Sequence, residues 1–313
     1  MRRTAETDEQ GRPASTSRSL RQRLAAWWQG HDDSAADDPS GAAPDYLESG
    51  KPDLKRWCDR RIEVAELLFG PSMTTPGGPD AVHALIEPLR LEPGHSTVEI
   101  GAGLGGIARL VAEETSARVV GIEADPILAE EAMRRSVDAG LKKQAGVSCY
   151  SLDTFSLKPR SADAVYAKEA FLTVEDKQYL FERIAKILRP QARLTFTDFV
   201  LTGPDSRSPE IAIWGAHEAF PIQIIPYDRV ESLLESVGFD LIDRYDMTDV
   251  YRESILKAFT AVAEALKAKG AAAAGYADWL AAEGDMWKRR ATVLSTGQVQ
   301  VQHFHAQMRR VAD

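Results

Sequence analysis

Glu99, the glycines that follow it and Glu123 are the residues of this chain whose types and spacing could do chemistry together. They lie in Val98-Glu99-Ile100-Gly101-Ala102-Gly103-Leu104-Gly105-Gly106 and at the end of Arg118-Val119-Val120-Gly121-Ile122-Glu123. The pattern predicts a strand, a tight turn, a helix, a second strand and a terminal acid. Glycines let the backbone turn sharply and let a ligand approach closely. An acid about twenty residues further on can accept hydrogen bonds from both hydroxyls of a ribose. Together these residues specify a nucleoside-binding cleft.

Two cofactor classes fit such a cleft. Gly101, Gly103 and Gly106 satisfy G-x-G-x-x-G, the dinucleotide fingerprint. The same stretch satisfies E-x-G-x-G-x-G and resembles the first motif of the class I S-adenosylmethionine (SAM) methyltransferases. Glu99 favours SAM over NAD, because an acid there suits a cationic amino-acid tail and would repel a pyrophosphate. The resemblance implies that Glu99, Gly101, Ala102, Gly103 and Gly105 hold the methionine portion and Glu123 the ribose, with Ala124 and Lys168 also among the cofactor contacts. It also places Asp153 and Thr154 near the adenine, and Lys168 and Glu169 where the methyl group points. A solvated acid at Asp153 and a structural ion pair at Lys168–Glu169 are the plain alternatives.

These residues need a frame, and the chain supplies one. Strands are predicted over 118–123, 147–152, 162–167, 193–200, 239–246 and 298–309, besides the first one before Gly101. Helices are predicted over 53–70, 80–90, 105–114, 126–139, 176–188 and 228–237, with a long alanine-rich stretch over 252–291. The alternation implies an α/β fold: a doubly wound, Rossmann-like sheet of seven mostly parallel strands with helices on both faces. In such sheets ligands bind beyond the carboxyl ends of the strands, where Glu123, Asp153, Lys168, Glu169 and Asp198 are expected. Residues 201–226 and 252–291 read as substrate-side insertions. The first carries Trp214, His217 and Phe220, which with Tyr227 and Tyr251 are expected to line or gate an acceptor pocket. His217 is the candidate base there. His303 and His305 share one face of the last strand, but no patterned third ligand accompanies them and no metal is expected.

Residues 1–43 read as a mostly disordered or loosely docked extension, and 44–313 as the folded domain. Within the extension Leu20, Leu24, Trp27 and Trp28 share a face over 19–28, a short amphipathic helix that could dock on the domain or touch a membrane surface. No apolar run approaches the roughly 20 residues of a membrane span. A net charge of −9 speaks against nucleic acid as a partner. Cys58 and Cys149 form no disulfide framework, with Cys149 expected to be a buried thiol and a cytoplasmic setting the simplest.

From about Glu66 to Thr248 the chain resembles the methyltransferase branch of the phosphoethanolamine N-methyltransferases and their quinone- and sterol-modifying relatives. Phe69-Gly70-Pro71-Ser72-Met73-Thr74-Thr75-Pro76-Gly77-Gly78 resembles their pre-motif loop, whose glycine pair approaches the SAM carboxylate. Tyr166-Ala167-Lys168-Glu169-Ala170-Phe171-Leu172-Thr173 and Tyr245-Asp246-Met247-Thr248 resemble two later blocks. Phosphoethanolamine enzymes carry a catalytic histidine where this chain has Thr173, and a glycine pair where it has Gln191-Ala192. The expected function is therefore methyl transfer to a small-molecule acceptor: an amine, a hydroxyl or an activated carbon. A membrane-borne lipid or quinone head group and a SAM-binding protein without turnover are the alternatives.

Overall fold

The computed structural model describes residues 52–203, 208–269 and 276–310. The extension 1–43, with its expected helix over 19–28, lies outside them. Seven strands among the described residues form one sheet: β1 (Ser96–Ile100), β2 (Arg118–Glu123), β3 (Ala145–Cys149), β4 (Ala162–Lys168), β5 (Leu188–Leu201), β6 (Phe239–Asp246) and β7 (Val299–Met308). Their order is β3-β2-β1-β4-β5-β7-β6. The first five are parallel, and only β7 runs against its neighbours. This is the Rossmann-like sheet expected. The chain winds outward from β1 to β3 and then crosses to β4. A crevice therefore opens beyond β1 and β4, at the point where the direction of winding reverses.

Nine helices are described: α1 (Asp59–Phe69), α2 (Gly78–Ile86), α3 (Gly106–Thr115), α4 (Pro126–Asp138), α5 (Lys177–Ile187), α6 (Pro209–Ala216), α7 (Tyr227–Ser236), α8 (Thr248–Lys269) and α9 (Ala277–Ser295). Their apolar faces make three layers. Val98, Ile100, Val165, Ala167 and Phe196 point to one side of the sheet, where Phe181, Ile184, Leu233 and Leu234 of α5 and α7 cover them. On the other side Val82 and Leu85 of α2 and Val111 of α3 pack on Ala164 and Tyr166. The third layer is a helical cap. Residues of α1, α6, α8 and α9 gather on Phe199, Leu201, Val299 and Val301, at the end of the sheet where the cleft opens.

The structure refines four readings of the elements. Within the helical stretch expected over 252–291 the described residues form two helices, α8 and α9. At 1.5 Å per residue a single helix of that length would run about 60 Å and bury little, whereas α8 and α9 place Phe259, Val262, Met286 and Trp287 in one core. β3 ends at Cys149, where its pairing with Glu123 ends, rather than at residue 152. Cys149 is exposed on this edge strand, not buried. The helix expected over 80–90 begins earlier, at Gly78, and closes in a 3-10 turn over Glu87–Leu89.

Candidate functional site

The turn after β1 is docked on β2, because Gly101 N and Ala102 N both donate to the Ile122 carbonyl at 2.8 and 2.9 Å. Gly101 has φ +76°, and a Cβ there would lie 2.4 Å from the Cβ of Ala170. Only glycine fits on both counts. Glu99 sits beneath this turn with 1% exposure, receiving the Tyr166 hydroxyl at 3.3 Å. Burial pushes its carboxyl up to about 8, although the Tyr166 hydrogen bond pulls the other way.

Glu123 is also buried. One of its oxygens accepts Gly103 N at 2.7 Å and the other Asp125 N at 2.9 Å. Burial raises its pKa, and these N–H groups oppose the rise. Each carboxylate oxygen retains a lone pair, enough for a diol. Ala124 is exposed beside it. Asp153 and Thr154 do not end a strand as expected: they lie exposed in the loop beyond Cys149.

At the end of β4, Lys168 Nζ donates to Thr75 Oγ1 at 2.8 Å, to the Pro76 carbonyl at 2.7 Å and to Glu169 Oε2 at 2.6 Å. Thr197 Oγ1 donates to the second Glu169 oxygen at 2.7 Å. Glu169 itself has φ +47°, uncommon for a side-chain-bearing residue. Lys168 also lies 5.7 Å from the centre of the Tyr251 ring. The Tyr251 hydroxyl is fully buried and feels the Glu169 charge, so that burial first and the charge second hold it protonated. The Lys168–Glu169 pair is thus a junction between the sheet, the pre-motif loop and the cap. Gly77, φ +116°, meets this junction: a Cβ there would be 3.9 Å from Lys168 Cε and 2.5 Å from Ala81 Cβ. Gly78 follows with open space around its Cα.

The expected acceptor-pocket residues separate. Trp214 and Tyr251 join Phe199 in the cap core. Behind them Glu218 accepts Trp214 Nε1 at 2.5 Å and both Arg290 Nε and Nη2, at 2.7 and 2.8 Å. Tyr227 packs instead with the α5–α7 layer, beneath the Arg244 guanidinium, and Phe220 is exposed. His217 caps α6 with Nδ1 held by the Ile213 carbonyl at 2.8 Å, and has no hydrogen bond to Lys168 or Glu169. Thr173 is exposed after β4. His303 is buried and stacked 4.5 Å from Tyr245, with burial lowering its pKa to about 4. No group of three or more His, Cys, Asp or Glu that could hold a metal occurs among the described residues.

Several participants were not singled out by the sequence. Thr75 and Tyr166 lie within family-like blocks but take their partners only when the chain folds, and Thr197 carries no motif. Glu218 and Arg290 lie far apart in sequence and meet only through folding. Arg109 alone leaves a trace, as a cation among Ile107, Ala108, Val111 and Ala112 on the buried face of α3.

A family profile described as a methyltransferase domain matches residues 98–196, from the first cofactor strand through much of β5. Over those residues the chain is similar to a methyltransferase domain. Phosphoethanolamine N-methyltransferase 3 of Arabidopsis thaliana is 25% identical over 197 residues, 63% of this chain and 39% of that protein. The chain therefore spans about two fifths of that relative. Among solved structures, phosphoethanolamine N-methyltransferase 2 of Haemonchus contortus, in complex with phosphomonomethylethanolamine and S-adenosylhomocysteine, superposes with a TM-score of 0.69 at 20% identity, over 80% of this chain and 57% of its own. The cyclopropane synthase MmaA2 of Mycobacterium tuberculosis gives 0.67 at 17% identity, over 87% and 100%. The domain thus shares its fold with the branch that the sequence resembles. No described helix is long and apolar enough to cross a membrane.

Proposed function

We propose that the chain transfers a methyl group from SAM to a small-molecule acceptor by in-line displacement. The observation that carries this reading is the pair of buried carboxylates, Glu99 and Glu123, set on either side of a glycine turn that leaves no room for a side chain at Gly101. Glu123 would hold the ribose hydroxyls with its free lone pairs. Glu99 would face the cationic amino-acid end, with Gly77 and Gly78 at its carboxylate. Ala102, Gly103 and Gly105 would let the backbone approach. Asp153 and Thr154 would border the adenine from an open loop, and Ala124 would meet the cofactor beside Glu123.

Bound SAM supplies a methyl group already activated by its sulfonium, so the protein mainly aligns the acceptor with it. Lys168 and Glu169 would face that acceptor. Glu169, anchored by Lys168 and Thr197, would accept a proton or a hydrogen bond from it. His217, with Nδ1 occupied, offers only Nε2 as a base and acts from the rim of α6. The acceptor atom is an amine, a hydroxyl or an activated carbon. Phosphoethanolamine itself fits less well, since Thr173 cannot serve as a base.

Calorimetry with SAM, S-adenosylhomocysteine and NADH tests the reading. Micromolar binding of the two sulfur ligands is expected, weakened about thirtyfold or more in Glu123→Ala, which removes charge-assisted bonds. Binding of NADH alone would replace SAM by a dinucleotide. Methyl transfer to any acceptor would exclude a purely SAM-binding role.

A further inference from the structure

The segment Met73–Gly77 faces the glycine turn, yet the turn does not hold it. Its near end is fastened at Ser72 by side chains from three helices. Ser72 N donates to Glu66 Oε1 of α1 at 2.6 Å. Ser72 Oγ accepts Arg109 Nη2 of α3 at 2.8 Å and Arg135 Nη1 of α4 at 3.1 Å. Arg135 in turn grips Glu66 through both its terminal nitrogens, at 2.5 and 3.2 Å. Arg109 donates to the carbonyls of Leu104 and Ala132 at 2.9 and 3.3 Å and to Ser136 Oγ at 3.3 Å. Two charge-assisted bonds thus converge on one hydroxyl, using both its lone pairs.

The fastening is tight in the direction that matters. The Ser72 carbonyl lies 2.5 Å from where a Gly106 Cβ would be, and Thr74 Oγ1 lies 3.1 Å from that of Gly103. Ser72 has φ +60°, a strained conformation for a residue with a side chain. Surrounding bonds must hold it there, and the two guanidiniums and Glu66 are those bonds. Lys168 secures the far end at Thr75 and Pro76.

We propose that Arg109 and Arg135 are positioning residues of the cofactor site. Through Ser72 they fix the Met73–Gly77 wall against the glycine turn and thereby set the affinity for SAM without touching it. The inference rests on the cofactor reading above. It adds a network outside the glycine motif to the determinants of that site.

The test measures S-adenosylhomocysteine affinity by calorimetry, with melting temperature alongside, for the unaltered chain, Ser72→Ala, Ser72→Gly, Arg135→Met and the Ser72→Ala/Arg135→Met double variant. Both Ser72 variants should raise Kd about tenfold with little change in melting temperature. Ser72→Gly relieves the left-handed strain, so wild-type affinity in that variant would overturn the role of the hydroxyl. The double variant should lose little more than Arg135→Met alone, because both changes break one unit. Fully additive losses would overturn the clasp. If the unaltered chain binds no S-adenosylhomocysteine, the cofactor reading falls and the clasp's role with it. Intact binding in Ser72→Ala would sink the clasp alone.

Discussion

The proposed cofactor side of the cleft draws Glu99, Gly101, Gly103 and Glu123 from one strand-turn-helix-strand unit, and its hydrogen bonds are short-range in sequence or pass between neighbouring parallel strands. The proposed acceptor side is assembled from distant segments. Lys168 and Glu169 meet Thr75, Thr197 and Tyr251, and behind them Glu218 of the α6 region meets Arg290 of α9. One side presents two buried acids, Glu99 and Glu123, that form no ion pair among the described residues. The other buries its charges already paired, and shelters them under aromatic side chains. A cofactor with fixed chemistry can be held by a local motif, whereas an acceptor site is free to be rebuilt by changing the helices above the same sheet.

The pairing on the acceptor side gives the largest expected effect. Arg290→Ala leaves Glu218 buried and uncompensated, a loss of about 3–5 kcal/mol for a buried pair broken on one side. Urea unfolding should show it, while S-adenosylhomocysteine affinity of the folded fraction stays close to wild type. A matching collapse of that affinity would show that the two sides are one cooperative unit.

The unpaired acid gives a smaller effect with a definite sign. The folded pKa of Glu99 lies near 8, above its ordinary value of 4.5. Between those pH values the folded state holds a proton that the unfolded chain releases, so this group's contribution favours folding at low pH and is lost as pH rises towards 8. Unfolding titrations should show that slope, and Glu99→Gln should flatten it. A cationic ligand beside Glu99 would expel the proton below pH 8. Wild-type binding should therefore release protons in buffers of differing ionisation heat, and Glu99→Gln should not. An unchanged slope in Glu99→Gln would mean that the buried acid does not titrate in this range.

The smallest effect is expected at Thr173, which is exposed at the position where the sequence resemblance implies a histidine in phosphoethanolamine enzymes. Thr173→Ala should leave turnover on whatever acceptor is found within about twofold, since surface substitutions rarely cost more than about 0.5 kcal/mol. A large fall would move the acceptor chemistry from the Lys168–Glu169 junction to the loop after β4.

Sequence alone made the parallel sheet, the glycine turn and the two acids legible, because each depends on interactions within a short window: strand alternation, glycine's freedom at positive φ, and an acid at a strand's end. The same local logic failed at β3, whose last residues are set by the length of its partner, and so it misplaced Asp153. Along 252–291 periodicity marks helix but does not separate α8 from α9. The tertiary structure alone decided that Ser72 is clasped by Arg109 and Arg135, that Lys168 ties the pre-motif loop to Glu169, and that Glu218 neutralises Arg290. Those bonds join groups distant in sequence, and burial leaves each charge few other partners once the chain has packed.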